Sequence, residues 1–124
     1  SRDLGLDERV DFTGYCQNPY PLIANADLFV LSSKYEGFGN VLVESLLLGT
    51  PVISSNCPGG PWEILRHGKY GTLVPVGDVD KLSNAIKAQL KSFSPDKHKV
   101  EASKKYALQY DISFIADMYL KALA

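Results

Sequence analysis

The apolar positions of this chain fall into short unbroken runs between polar, glycine-bearing loops. Leu28-Phe29-Val30-Leu31 is continuous and partly β-branched. Such a run suits a strand buried on both faces, as strands of parallel sheets are. Pro51-Val52-Ile53-Ser54 repeats the pattern, and Thr72-Leu73-Val74 is a shorter version closed by Pro75 and Gly77. Val10 to Thr13, closed by Gly14, predicts another short strand ahead of them. Pro19 to Ala26 predicts a short helix or turn. Asn40 to Leu48 predicts a helix stopped by Gly49, with Pro51 just beyond. A one- to two-turn helix is expected from Trp62 to His67. Asp78 or Asp80 can cap a helix running to about Lys91, with Leu82, Ala85, Ile86 and Leu90 on one face. Ser94-Pro95 reads as a cap followed by proline at the first helical position, opening a helix to about Gln109. Asp111 caps a last helix bearing Phe114, Ile115, Met118, Tyr119 and Leu123. Strand, loop, helix and strand over 28–54 make a βαβ unit. The fold class that follows is α/β, a parallel sheet of about four short strands with flanking helices.

Composition narrows the function classes. At 124 residues, 45% hydrophobic and 22% charged, the chain suits one globular unit and is not a disordered segment. Its 13 basic and 14 acidic side chains leave a net charge of −1, so it lacks the basic surface that nucleic acid requires. The longest apolar run is far short of the ~20 residues that span a bilayer, and Ser1 to Glu8 is too polar to read as a secretory signal. Cys16 and Cys57 read as reduced loop cysteines of a cytoplasmic protein, and the paired ligands of a zinc site are missing. His67 and His98 read as ordinary surface or loop residues.

In open α/β sheets, ligands bind beyond the carboxyl ends of the strands. Two loops belong there, Ser32 to Gly39 and Ser55 to Pro61, both rich in Gly, Ser and Asn. The first runs directly into a helix N-terminus, where unpaired N–H groups and the helix dipole favour a phosphate. Gly37 and Gly39 remove Cβ atoms that would hold an anion off the backbone. The helix behind them is apolar nearly all round, yet carries Glu44 in its middle. A buried carboxylate needs a partner. Asn40, Ser45 or loop N–H groups could serve, or a ligand's hydroxyls could, as when a carboxylate holds a ribose. Glu36, eight residues earlier, is a solvated loop acid or a carboxylate at the mouth of the phosphate site. Glu63, after Gly59-Gly60-Pro61, reads first as an acid in the opening turn of a short helix.

Taken in order, Leu28 to Ser33, Glu36-Gly37-Phe38-Gly39-Asn40-Val41-Leu42-Val43-Glu44 and Gly49-Thr50-Pro51-Val52-Ile53 resemble the C-terminal, donor-binding domain of GT-B-fold glycosyltransferases. The likeness is greatest to the large retaining family-four group. Glu36 and Glu44 match that group's Glu-x7-Glu motif. Val10-Asp11-Phe12 with Gly14 resembles a segment upstream of it, and Gly59-Gly60 with Glu63 and Gly71-Thr72-Leu73-Val74 resemble segments downstream. The resemblance runs from about Leu4 to Leu90, with a closing helix beyond.

The resemblance implies a role for each matched residue. Glu44 would bind the ribose hydroxyls of a UDP- or GDP-sugar, and Glu36 would hydrogen-bond the transferred sugar. Backbone N–H groups around Gly37, Phe38, Gly39 and Asn40 would hold the diphosphate. Gly14 and Tyr15, with Cys16, would lie near the base. The family needs no metal or other cofactor, because the helix dipole and basic side chains neutralise the leaving diphosphate. The acceptor, a glycan or lipid-linked sugar, would be bound by an N-terminal domain. That domain and two βα units with a glycine-rich turn, an Arg and a Lys precede the matched part in the family. On this reading, residues 1–124 are a single partial domain, the second half of a Rossmann-like unit, inactive alone. Family members often act at the inner membrane face, so Lys97, Lys99, Lys104 and Lys105 could make a peripheral contact; Asp96 and Glu101 interrupt them and favour a solvated helix face. Two other readings stay open: a non-catalytic nucleotide- or phosphate-binding α/β module, and another GT-B-like enzyme such as a sugar-nucleotide epimerase or phosphorylase.

In the family's strand order, Leu28 to Leu31 would lie beside a strand that this chain lacks. An open edge of Leu-Phe-Val-Leu invites pairing with another chain. Self-association is therefore expected, and analytical ultracentrifugation of the chain across a concentration series checks it. A monomer at high concentration means that the edge is covered within the chain.

Overall fold

In the computed structural model, which describes residues 2–92, 96–110, 116, 120, 121 and 123, the buried runs become three parallel strands. They are β1 (Phe29–Leu31), β2 (Val52–Ser55) and β3 (Thr72–Val74), in the order β1-β2-β3. Phe29 pairs with Val52, and Ile53 with Thr72. Every residue of β2 is buried, as a central strand requires. The helices are α1 (Tyr20–Ala24), α2 (Asn40–Leu48), α3 (Pro61–Ile64), α4 (Val79–Lys91) and α5 (Lys97–Ala107).

The α2 helix is the centre of the core. Leu42, Val43, Leu46 and Leu47 are at most 2% exposed and pack with Val52, Ile64, Leu65 and Ala107. The α1, α3 and α5 helices and strand β2 surround it. Gly49 ends α2 in a left-handed conformation, φ 81°, and its N–H returns to Leu46. The α4 helix packs instead on β2 and β3, with no buried residue of its own. Asp78 caps it, accepting from the Lys81 N–H at 2.9 Å. That backbone bond holds the Asp78 carboxyl below its ordinary pKa. None of the helices among the described residues is long and apolar enough to cross a membrane.

Two expectations are corrected. Val10 to Thr13 forms no strand, so the sheet has three strands among the described residues instead of four. Phe12 is 79% exposed, and the Val10 N–H turns back to the Leu6 carbonyl at 3.0 Å. A strand exists through its neighbour's hydrogen bonds, and no described strand lies alongside. Asp96, not Ser94, is the cap of α5, accepting from the His98 N–H at 3.0 Å. Ser94 and Pro95 lie outside the described residues, as do Asp111, Phe114, Ile115, Met118 and Tyr119 of the predicted last helix.

Because α2 is enclosed and α4 is not, truncations should differ between them. Leu46→Ala should cost about 2–5 kcal/mol and Leu82→Ala clearly less. Urea unfolding of the two variants checks the contrast.

Candidate functional site

The loop leaving β1 climbs beyond the carboxyl edge of the sheet and enters α2 at Gly39, whose φ of 87° lies in the left-handed region. No side chain caps this end, and no acid sits in its first turn. The Leu42 N–H turns back to the Gly39 carbonyl at 2.9 Å. The loop of Gly37 and Phe38 leads straight into this end, and an uncapped helix N-terminus with its dipole behind it favours an anion.

A second loop clamps the first. The Glu36 N–H donates to the Pro58 carbonyl at 3.1 Å. Gly59, at φ 104°, lies so close that a Cβ there would run into the Glu36 carbonyl, and one on Gly60, at φ 124°, would strike the Phe38 carbonyl. Glycine is required twice over, for the backbone angle and for the approach. Ser55, at the end of β2, donates to the Ser33 carbonyl, and Ser33 Oγ donates to Glu36 Oε1. The Glu36 carboxylate is thereby tied to the sheet.

Glu44, half-buried on α2, faces α1. Neither Asn40 nor Ser45 partners it: Asn40 is exposed, and Ser45 Oγ donates to the Val41 carbonyl at 2.7 Å. The partner is Tyr20, whose hydroxyl donates to Glu44 Oε1 at 3.5 Å. Burial pushes the Glu44 carboxyl above its ordinary pKa, while the Tyr20 hydroxyl and the charge of Lys121 pull it back.

Phe38 is held from the side. Its ring meets Tyr110 edge-on, centroids 5.9 Å apart. Tyr110 and Tyr106 share a hydrogen bond of 3.3 Å, and Tyr106 Oη donates to the Glu63 carbonyl at 3.0 Å. Burial, with the Tyr106 hydroxyl, pushes the Tyr110 phenol up to about 12. Sequence reasoning missed Tyr20, Tyr106 and Tyr110. The available signal for the last two was their spacing of one helical turn; Tyr20 gave none.

The structure thus gathers Glu36, Gly37, Phe38, Gly39 and Asn40 in one loop and helix end, with Glu44 one turn further along α2. Gly14 takes a left-handed φ of 66°, as a turn glycine does. Tyr15 is 94% exposed, so it does not pack onto that loop. Glu63 is exposed in the first turn of α3, and it is its carbonyl that is engaged.

The family model described as glycosyl transferases group 1 matches residues 1–92. A lipopolysaccharide core biosynthesis glycosyltransferase, LpsE of Rhizobium meliloti, is 36% identical over 123 residues, which are 98% of this chain and 36% of that protein. An N-acetylgalactosaminyltransferase acting on N-acetylgalactosamine-N,N'-diacetylbacillosaminyl-diphospho-undecaprenol, from Campylobacter jejuni, is 31% identical over 122 residues, 98% of this chain and 33% of its own length. Among solved structures, Anabaena Alr3699/HepE in complex with UDP-glucose superposes with a TM-score of 0.79 at 31% identity, covering 98% of this chain and 34% of that one. The chain therefore spans only about a third of the length of these relatives.

The clamp predicts a contrast between two glycines. Gly14→Ala meets open space and should cost only the left-handed angle, ~1–2 kcal/mol. Gly59→Ala should cost more and loosen residues 36–40, because the Glu36 backbone must move. Urea unfolding and amide hydrogen exchange of residues 36–40 measure both.

Proposed function

The chain belongs to the glycosyl transferases group 1 family, and from that premise we propose that it is the donor-binding part of an enzyme that transfers a sugar from a nucleotide sugar to a growing glycan. The observation that carries this reading is the uncapped end of α2, opened by Gly39 and flanked by two carboxylates that are each held by a hydroxyl. Support for the donor comes from Alr3699/HepE, whose structure is in complex with UDP-glucose. Support for the glycan acceptor comes from the relatives named for lipopolysaccharide core biosynthesis and for an undecaprenol-linked sugar.

In this proposal each group has one task. The backbone N–H groups of Phe38, Gly39 and Asn40 receive the diphosphate, and the α2 dipole stabilises the charge that grows on it as the glycosidic bond breaks. Glu44 accepts the ribose hydroxyls. Glu36 accepts hydroxyls of the transferred sugar, beside the anomeric carbon where positive charge develops. The Ser33 bond fixes its orientation before the substrate arrives, so little reorganisation is needed during reaction. Gly14 and Tyr15 lie toward the base, which is a UDP or GDP base. The acceptor is bound by chain outside these residues, and transfer retains anomeric configuration.

The test uses the full-length enzyme. Glu36→Gln should lower kcat roughly 10- to 100-fold while UDP affinity changes little, the loss expected when a hydrogen bond to a charged group is removed in the transition state. Proton NMR of the first-formed product should show retained configuration, in EDTA as in buffer. An inverted product, or a fall in UDP affinity that matches the fall in kcat, would sink the assignment of Glu36 and mechanism.

A further inference from the structure

Glu44 reaches toward α1, and α1 is built to present one group to it. Pro19 and Pro21 flank Tyr20 and fix the backbone there. The Tyr20 N–H donates to Asn18 Oδ1 at 3.3 Å, and Asn18 Nδ2 donates to the Lys121 carbonyl. The Tyr20 ring is half-buried against the core around α2. Its hydroxyl is therefore delivered by a rigid ring from a braced turn, at 3.5 Å from Glu44 Oε1. A glutamate has three side-chain torsions, and ordering them when a ligand binds opposes binding. A hydroxyl directed at one oxygen restricts that freedom in advance.

We propose that Tyr20 is a positioning residue for the nucleotide site: its hydroxyl holds Oε1 of Glu44 so that the carboxylate is presented to the ribose hydroxyls. The inference rests on the reading of Glu44 as the ribose acceptor. Tyr20 itself touches no substrate.

The role has a pH signature. Burial raises the Glu44 carboxyl, and the Tyr20 hydroxyl and Lys121 oppose that rise. The other elements packed on α2 add little: β2 carries no titratable group, Glu63 of α3 is exposed, and Lys104 of α5 lies against Gly49 at the far end of the helix. Accepting two hydroxyls requires the carboxylate. Affinity is then full above the Glu44 pKa and falls as pH drops through it. Removing the Tyr20 hydroxyl raises that pKa further, so the fall must begin at higher pH.

UDP is titrated by calorimetry into the full-length enzyme from about pH 4, near the ordinary carboxylate pKa, to about pH 8. Wild type, Tyr20→Phe, Glu44→Gln and the double variant are compared. Phenylalanine keeps the ring in the core, and an unchanged thermal midpoint confirms the fold. Tyr20→Phe should weaken UDP roughly 3- to 10-fold near neutral pH, the loss of one ordinary hydrogen bond. Its acid limb should move to higher pH. Glu44→Gln should weaken UDP roughly 10- to 100-fold and remove the part of that limb due to Glu44, leaving the part that the terminal phosphate of UDP, with a pKa of about 6, contributes in every variant. Added to Glu44→Gln, the Tyr20→Phe change should weaken UDP further by less than about twofold, because coupled residues are not additive. If Glu44→Gln weakens UDP but Tyr20→Phe leaves the acid limb in place, or the two losses add in full, the role of Tyr20 is overturned alone. If Glu44→Gln leaves UDP affinity unchanged, the ribose reading falls and the role of Tyr20 falls with it.

Discussion

The backbone of Glu36 to Phe38 lies against the backbone of Gly59 and Gly60 with no room for a side chain between them, and the geometry of the site depends on that contact. It sets the path by which the chain leaves β1, and so the direction from which it enters α2. Two loops that follow neighbouring parallel strands are thereby fused into one wall. Neither loop alone is rigid, since loops rich in glycine lose the most entropy on ordering. Together they share the Glu36 to Pro58 bond and the bond from Ser55, at the end of β2, to Ser33 of the first loop, and the sheet supplies the stiffness.

A second tier of contacts surrounds this wall. Tyr20 reaches one carboxylate from α1, Ser33 reaches the other from the loop itself, and the Tyr110–Tyr106 pair braces Phe38 from α5 and the turn behind it. All are hydroxyl-bearing side chains at the boundary of core and solvent. Such groups contribute direction at little desolvation cost, because each keeps a partner at its polar end.

How much of this was legible in the sequence follows from the range of each interaction. The βαβ unit, the burial of α2 and its glycine stop are local patterns, and each was readable from a few consecutive residues. The positions of Glu36 and Glu44 follow from loop and helix, and the series of motifs supplied the family. Glu44's partner could not be read: Tyr20 is 24 residues away and on another helix, so only packing brings it near. Of the local candidates, Asn40 faces solvent and Ser45 is taken up by the helix backbone. Val10 to Thr13 misled for the opposite reason. Its composition suits a strand, but a ladder is a property of two segments, and composition describes one.

The arrangement of α4 has a consequence for motion. None of its residues is buried or belongs to the cluster centred on α2, and its contacts go to β2 and β3. Segments with few enclosed apolar groups open by themselves at a fraction of the global free energy. The α4 helix can thus detach and return while α2, its loop and the glycine clamp stay closed. Amides of α4 should therefore exchange with solvent before those of β2, which is buried at the centre of the sheet.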